Sequence, residues 1–234
     1  MKERPILFSG PMVRALLAGN KTQTRRTVKP QREILWFENP RGLNVTGSGW
    51  FEQNHAESDR HSECWQGVNC PFGVVGDRLW VRETWCPLNL DYCPAPRTAK
   101  LPKCGQSVIP SYRADHIDPR GDKEPMEWRP SIFMPRWASR LTLEITDIRV
   151  ERLQSISEED AMAEGVEKNV LPGYEHEWKE TDGWRDYLLP KFADCWPEEN
   201  ARDSFASLWR SINGADSYET NPFCWVLTFK KVDV

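Results

Sequence analysis

The sequence predicts a mixed α+β fold, a small barrel of β-strands carrying short helices, and three patterns support it. Apolar residues alternate with polar ones around 79–83, 141–150 and 225–229, the period of strands with one buried face. Helical patterns are short and closed by glycine, at 10–19, 157–165 and 203–214. The two kinds of element follow no regular βαβ rhythm, which argues against a doubly wound sheet.

The first helix follows Ser9 and Gly10, has Pro11 in its first turn, repeats apolar residues at Met12, Val13, Leu16 and Leu17, and stops at Gly19. Where it stops, Lys21, Thr22, Thr24, Arg25 and Arg26 follow in close succession. Polar groups presented together at a helix exit suit a binding site, because the scaffold fixes them while the loop exposes them. The stretch "GDRLWVRETW" reads as a strand entered through a Gly-Asp turn, with Arg82 and Glu83 on opposite faces.

In "RLTLEITDIRVERL" the alternation of Leu141, Leu143 and Ile145 resumes at Ile148 and Val150, a slip that predicts a β-bulge at Thr146–Asp147. Ser157 is the expected N-cap of an acidic helix that ends at Gly165 and carries Glu164 in its last turn. Asp203 opens a further helix with a stripe of Phe205, Leu208, Trp209 and Ile212, read as a core face. "FCWVLTF" closes the chain as a core strand. The remaining segments, 38–75, 86–130 and 168–200, are poor in periodicity and read as loop insertions, the last with a short helix, in a single domain over 1–234.

A chain of 234 residues buries about 70% of its unfolded surface, enough for a real core. No apolar run reaches the roughly 20 residues of a membrane span and the N-terminus lacks a signal-peptide core, so the expected address is cytoplasmic with no membrane partner. Seven cysteines, an odd number without a short repeated spacing, read as free thiols. The net charge of -4 argues against indiscriminate coating of nucleic acid. Yet Lys2, Arg4, Arg14, Lys21, Arg25, Arg26, Lys29 and Arg32 face a single acid, Glu3, in the first 32 residues, which fits either a local anion site or a solvated basic face.

"AGNKTQTRR" resembles the signature of the ASCH domain, a relative of the PUA-like barrels, at Gly19, Lys21, Thr22, Thr24 and Arg26. "GDRLWVRE", "LTLEITDIRVERLQSISEEDAMAEGV" and "FCWVLTF" are similar to the blocks that follow in that family, so the resemblance covers about half of the chain in four pieces. The longer form, with "MPRWASRLTLEITDIRVERLQ", is similar to uncharacterised proteins of bacteriophages and prophages. Compact bacterial members are amidohydrolases that remove the acetyl group of N(4)-acetylcytidine without a cofactor. The resemblance thus implies Lys21 as general base, Thr24 as nucleophile and Glu164 as proton donor. Other members bind or cleave RNA, so it also allows a module that only binds a modified nucleoside or nucleic acid, RNA in preference to DNA.

The chemistry asks for a lysine deprived of its proton by burial or neighbouring cations, which Arg25 and Arg26 supply. Lys21 as a solvated helix-end cation, Thr24 as an ordinary strand residue and Glu164 as a solvent-facing carboxylate are the plain alternatives. Gly19, Thr22, Arg25, Arg26, Arg82, Glu83 and Arg136 complete the candidate binding set, with a structural ion pair the rival role for Arg136. Trp80, Trp85, Trp128 and Trp137 are candidates for stacking a base. His55, His61, Cys64 and Cys70, and Cys86, Cys93 and Cys104, are types that zinc accepts, but their spacings match no paired-cysteine motif, and no metal site is expected.

Overall fold

The computed structural model describes residues 1–31, 34–37, 49–54, 64–89, 108–116, 127–169, 183–189 and 198–232. Its frame is one five-stranded sheet. In chain order the elements begin with β1 (Glu3–Leu7), α1 (Gly10–Leu17) and β2 (Gln23–Thr27). Short strands β3 (Ile34–Phe37), β4 (Gly49–Asn54) and β5 (Cys64–Gly67) precede β6 (Arg78–Arg82), and β7 (Trp85–Asn89) and β8 (Val108–Tyr112) follow it. Then come β9 (Thr142–Arg152), α2 (Glu158–Ala163), β10 (Lys168–Asn169), β11 (Gly183–Trp184), α3 (Ala201–Asn213) and β12 (Phe223–Val232).

The main sheet has the order β1-β6-β9-β12-β2, with β1 and β6 parallel and the other neighbours antiparallel. It is mixed α+β as expected, but the sheet is open where a closed barrel was expected. Its edges, β1 and β2, share no backbone ladder among the described residues. They meet through a side chain: the Arg26 guanidinium on β2 donates to Leu7 O at the end of β1, 2.6 Å away. Helix α1, which links the two edges, packs Val13 and Leu16 against Ile6, Leu79, Leu143 and Leu227 and occupies the seam. Around Cys224 of β12 a second apolar cluster forms, where Leu153 and Ile156, Ala161 of α2, and Phe205 and Trp209 of α3 pack together.

The bulge falls where the alternation slips: β12 pairs Thr228 with Asp147 and Phe229 with Ile145, so Thr146 is the unpaired residue. Ser157 caps α2 by accepting from Asp160 N at 3.1 Å. Asn200, not Asp203, is the N-cap of α3, and the Glu158 carboxylate of α2 also accepts from Ala201 N at 2.6 Å, tying the helices together.

The segments read as loops contain strands. β4 and β5 join β3, which lies just before the first such segment, in an antiparallel meander, β7 and β8 form a hairpin, and β10 pairs with β11. Strands of two to six residues are too short for an alternation to stand out from Pro- and Gly-rich surroundings. The short helix expected within 168–200 is absent from the described residues 183–189. No helix among the described residues is long and apolar enough to cross a membrane.

Candidate functional site

The site grows from the exit of α1. Gly19 takes a φ of +79°, and the N–H groups of Asn20 and Lys21 both donate to Ala15 O, at 2.9 and 3.1 Å. This hook turns Lys21 inward before β2 begins, while Thr22 N donates to Ala163 O at 2.9 Å and locks the hook to the end of α2. The Lys21 side chain is fully buried. Its Nζ donates to Glu164 O at 2.7 Å and to Glu164 Oε2 at 2.8 Å, so one cation both caps α2 and pairs with the carboxylate. Burial pushes the lysine pKa down and outweighs the opposing pull of Glu164; Arg26 and Arg25 push in the same direction as burial.

Gly165 makes this approach possible. Its φ is +80°, and a Cβ there would lie 2.9 Å from Lys21 Cβ and 3.0 Å from Ala15 Cβ.

β2 is an edge strand, so both of its faces reach a cleft of about 240 Å³. Thr24 and Arg26 project from one face beside Met12 and Phe72; Arg25 and Thr27 project from the other, toward Phe205, Leu208 and Trp209. Glu164 and Thr24 both line this cleft, and Lys21 lies behind Glu164. Lys21 and Glu164 are therefore brought together across a sequence separation of 143, and Thr24 shares with Glu164 the lining of the cleft.

Arg25, besides pushing the Lys21 pKa down, is held among carboxylates. Its guanidinium is fully buried, 2.8 Å from Asp160, 3.1 Å from Glu151 and 3.5 Å from Glu164 Oε1. Its two terminal nitrogens face protein carboxylates, while its buried Nε has no hydrogen-bond partner among the described residues. Arg149 donates to Asp160 at 2.6 Å and to Gln23 at 3.3 Å, extending the network to β9. Lys21, Arg25 and Arg149 meet Glu151, Asp160 and Glu164, so the expected cationic mouth is balanced by carboxylates. Arg26 lies over the Phe8 ring, 5.3 Å from its centroid, and burial lowers its pKa.

Other candidates lie elsewhere. Gly19 is exposed and serves the turn, and Thr22 is exposed. Arg82 stacks over Trp80 at 4.6 Å. Glu83 points inward and accepts from Arg140 at 2.9 and 3.0 Å; burial pushes its pKa up against the pull of Arg140. Arg136 bonds Glu3 through both arms of its fork, at 2.9 and 3.3 Å, and holds that carboxyl below its ordinary range. That is the structural ion pair, on the far edge strand β1.

Trp85 is buried with Trp137 packed edge-on at 5.7 Å, and Trp128 contacts His116 at 5.4 Å; neither they nor Trp80 line the cleft. The aromatic residues that do are Phe72, which the sequence reading did not single out, and Phe205 and Trp209, which are buried in the second apolar cluster as the core stripe predicts. The signal for Phe205 and Trp209 lies in the α3 stripe, whose partner surface no local pattern reveals. His55, His61, Cys93, Cys104 and the Cys64 side chain lie outside the described residues, Cys70 and Cys86 are free thiols, and the described residues form no metal-binding cluster.

Set against models of known families, curated proteins and solved structures, the chain matches none of them.

Proposed function

We propose that the chain is a long ASCH-type protein of PUA-like ancestry whose β2 cleft hydrolyses the amide of an acylated nucleoside. The observation that carries this reading is the buried 2.8 Å contact of Lys21 Nζ with Glu164 Oε2, with Glu164 and Thr24 opening on one cleft. Moving one proton along that contact turns an ion pair into a neutral amine beside a carboxylic acid, and burial favours the neutral form of Lys21. A base beside an acid, next to a hydroxyl, is what amide cleavage through an ester requires.

In the first half-reaction the Thr24 oxygen bonds to the amide carbonyl carbon while its proton passes to Lys21. Arg26, two residues along the same face of β2, supplies positive charge for the oxyanion. The C–N bond then breaks, the nitrogen takes the proton of Glu164, and the acyl group stays on Thr24 as an ester. In the second, water adds to the ester and gives its proton to the Glu164 carboxylate. The Thr24 oxygen leaves with the proton held by Lys21, and the carboxylic acid departs.

The test is incubation of the purified protein with N(4)-acetylcytidine, reading product masses. Turnover by the parent, lost in Thr24→Ala and Lys21→Ala with ligand affinity retained in the former, supports the reading. Full activity in Thr24→Ala overturns the nucleophile. No turnover of any acylated nucleoside, with oligonucleotide binding that weakens in salt and in Lys21→Ala, makes the cleft a nucleic-acid binding module instead.

A further inference from the structure

We infer that the outer edge of β2 is a docking strand for a short extended segment of another polypeptide, apolar on both faces and flanked by an acidic residue. The inference goes beyond the amide-hydrolase reading and does not depend on it. The backbone directions of β2 follow from its pairing with β12. Val28 N donates to Phe223 O and Phe229 N to Thr22 O, both at 2.9 Å, so the even-numbered residues bond β12 and the main-chain groups of Arg25 and Thr27 point away from it. No partner for those two N–H and two C=O groups occurs among the described residues. Arg25 is only 4% exposed, and buried main-chain groups are rarely left unpaired, because each has given up its bonds to water.

The other edge of the sheet is guarded. On β1, Arg78 N donates to Lys2 O and Phe8 N to Arg82 O, so its outward residues are Glu3, Pro5 and Leu7. Pro5 has no N–H to offer, and Leu7 O is taken by Arg26. β2 carries no such guard. The cleft of about 240 Å³ runs beside it, with Met12 and Phe72 on the Thr24 face and Leu208 and Ile212 on the Arg25 face. Side chains of an added strand alternate between those two walls, so both of its faces must be apolar. Ile212, 53% exposed, is wall that such a strand would cover. The bond from Thr22 N to Ala163 O closes the start of β2 and leaves the Thr27 end open. Lys29 is exposed just beyond that end, and its charge favours an acidic residue flanking the partner segment.

The experiment titrates the full chain with a panel of blocked heptapeptides whose three central residues are drawn from Val, Ile, Leu and Phe, with Asp or Glu at either end. Residue-resolved amide exchange in the complex should slow Arg25 and Thr27 about tenfold or more and leave Thr24 and Arg26, already bonded to β12, unchanged. N-methylating the middle central amide of the tightest binder, or instead the two beside it, should give opposite results, because only one set of N–H groups faces β2. Thr27→Pro removes an outward N–H without touching the β12 ladder and should weaken binding about three- to tenfold. Lys29→Glu should weaken it at low salt and not at high salt. No binding across the panel, or equal binding of the two N-methylated forms, overturns the docking strand. Protection of Arg25 and Thr27 by an oligonucleotide and by no peptide also overturns it and assigns the edge to nucleic acid. None of these outcomes bears on turnover of N(4)-acetylcytidine, so the two readings fail separately.

Discussion

Lys21 and Glu164 depend on each other more than either depends on solvent. Removing one partner of a fully buried pair strands the other, at a cost of about 3–5 kcal/mol. Glu164→Gln and Lys21→Met should each lower the urea midpoint accordingly. The double variant Lys21→Met/Glu164→Leu should recover much of the stability while remaining inactive, and a double variant no more stable than the singles would show that the pair is not the determinant. Gly165→Ala should cost about 1–3 kcal/mol, from a strained backbone and from the 2.9 Å clash with Lys21 Cβ. At this scale the sequence was partly legible. The run from Lys21 to Arg26 marked the site, and Gly165 marked the helix end. The inward turn of Arg25 was not legible, because the residues that claim it, Glu151 and Asp160, lie more than 120 positions away.

Helix α2 is only six residues long, so its position depends on side chains that tether it. Ser157 holds its first turn, Glu158 caps α3, Asp160 bonds Arg25 and Arg149, and Lys21 takes its last carbonyl. Burial raises the Asp160 pKa, but hydrogen bonds from Arg25 and Arg149 outweigh it and the carboxyl lies below its ordinary value. A folded value below the unfolded one gives stability that is full above about pH 4 and is lost as pH falls through the folded value. Asp160→Asn should therefore flatten the dependence of the urea midpoint on pH below about 4, and an unchanged acid limb would place the effect on another carboxylate. Glu158→Ala should cost about 1 kcal/mol and loosen the start of α3, read as faster amide exchange at Ala201 and Arg202. The bulge at Thr146 and the cap at Ser157 were readable because each is a local rule. The stripe on α3 was readable as a stripe, but whether it meets core or cleft depends on β2, which is remote in sequence.

Over the whole molecule the open edge is the feature that matters, and closure is what the alternation of single strands does not encode, since it depends on register and twist summed over the sheet. With Arg26 as the link between the two edges, Arg26→Ala should raise amide exchange in β1 and β2 before it affects β9 and β12. Equal protection in all four strands would mean that α1 alone holds the seam. The pairing of β2 with β12 also imposes an order in time. β2 leaves the ribosome before its partner strand, which begins at Phe223, about 200 residues later, and translation at about 5–20 residues per second puts roughly 10–40 s between them. During that interval Thr24 has no neighbouring strand and, until α2 is made, Lys21 has no carboxylate. Lys21, Thr24 and Glu164 of a growing chain are thus not assembled until β12 is made, and a polypeptide released before that point carries the run from Lys21 to Arg26 without the cleft.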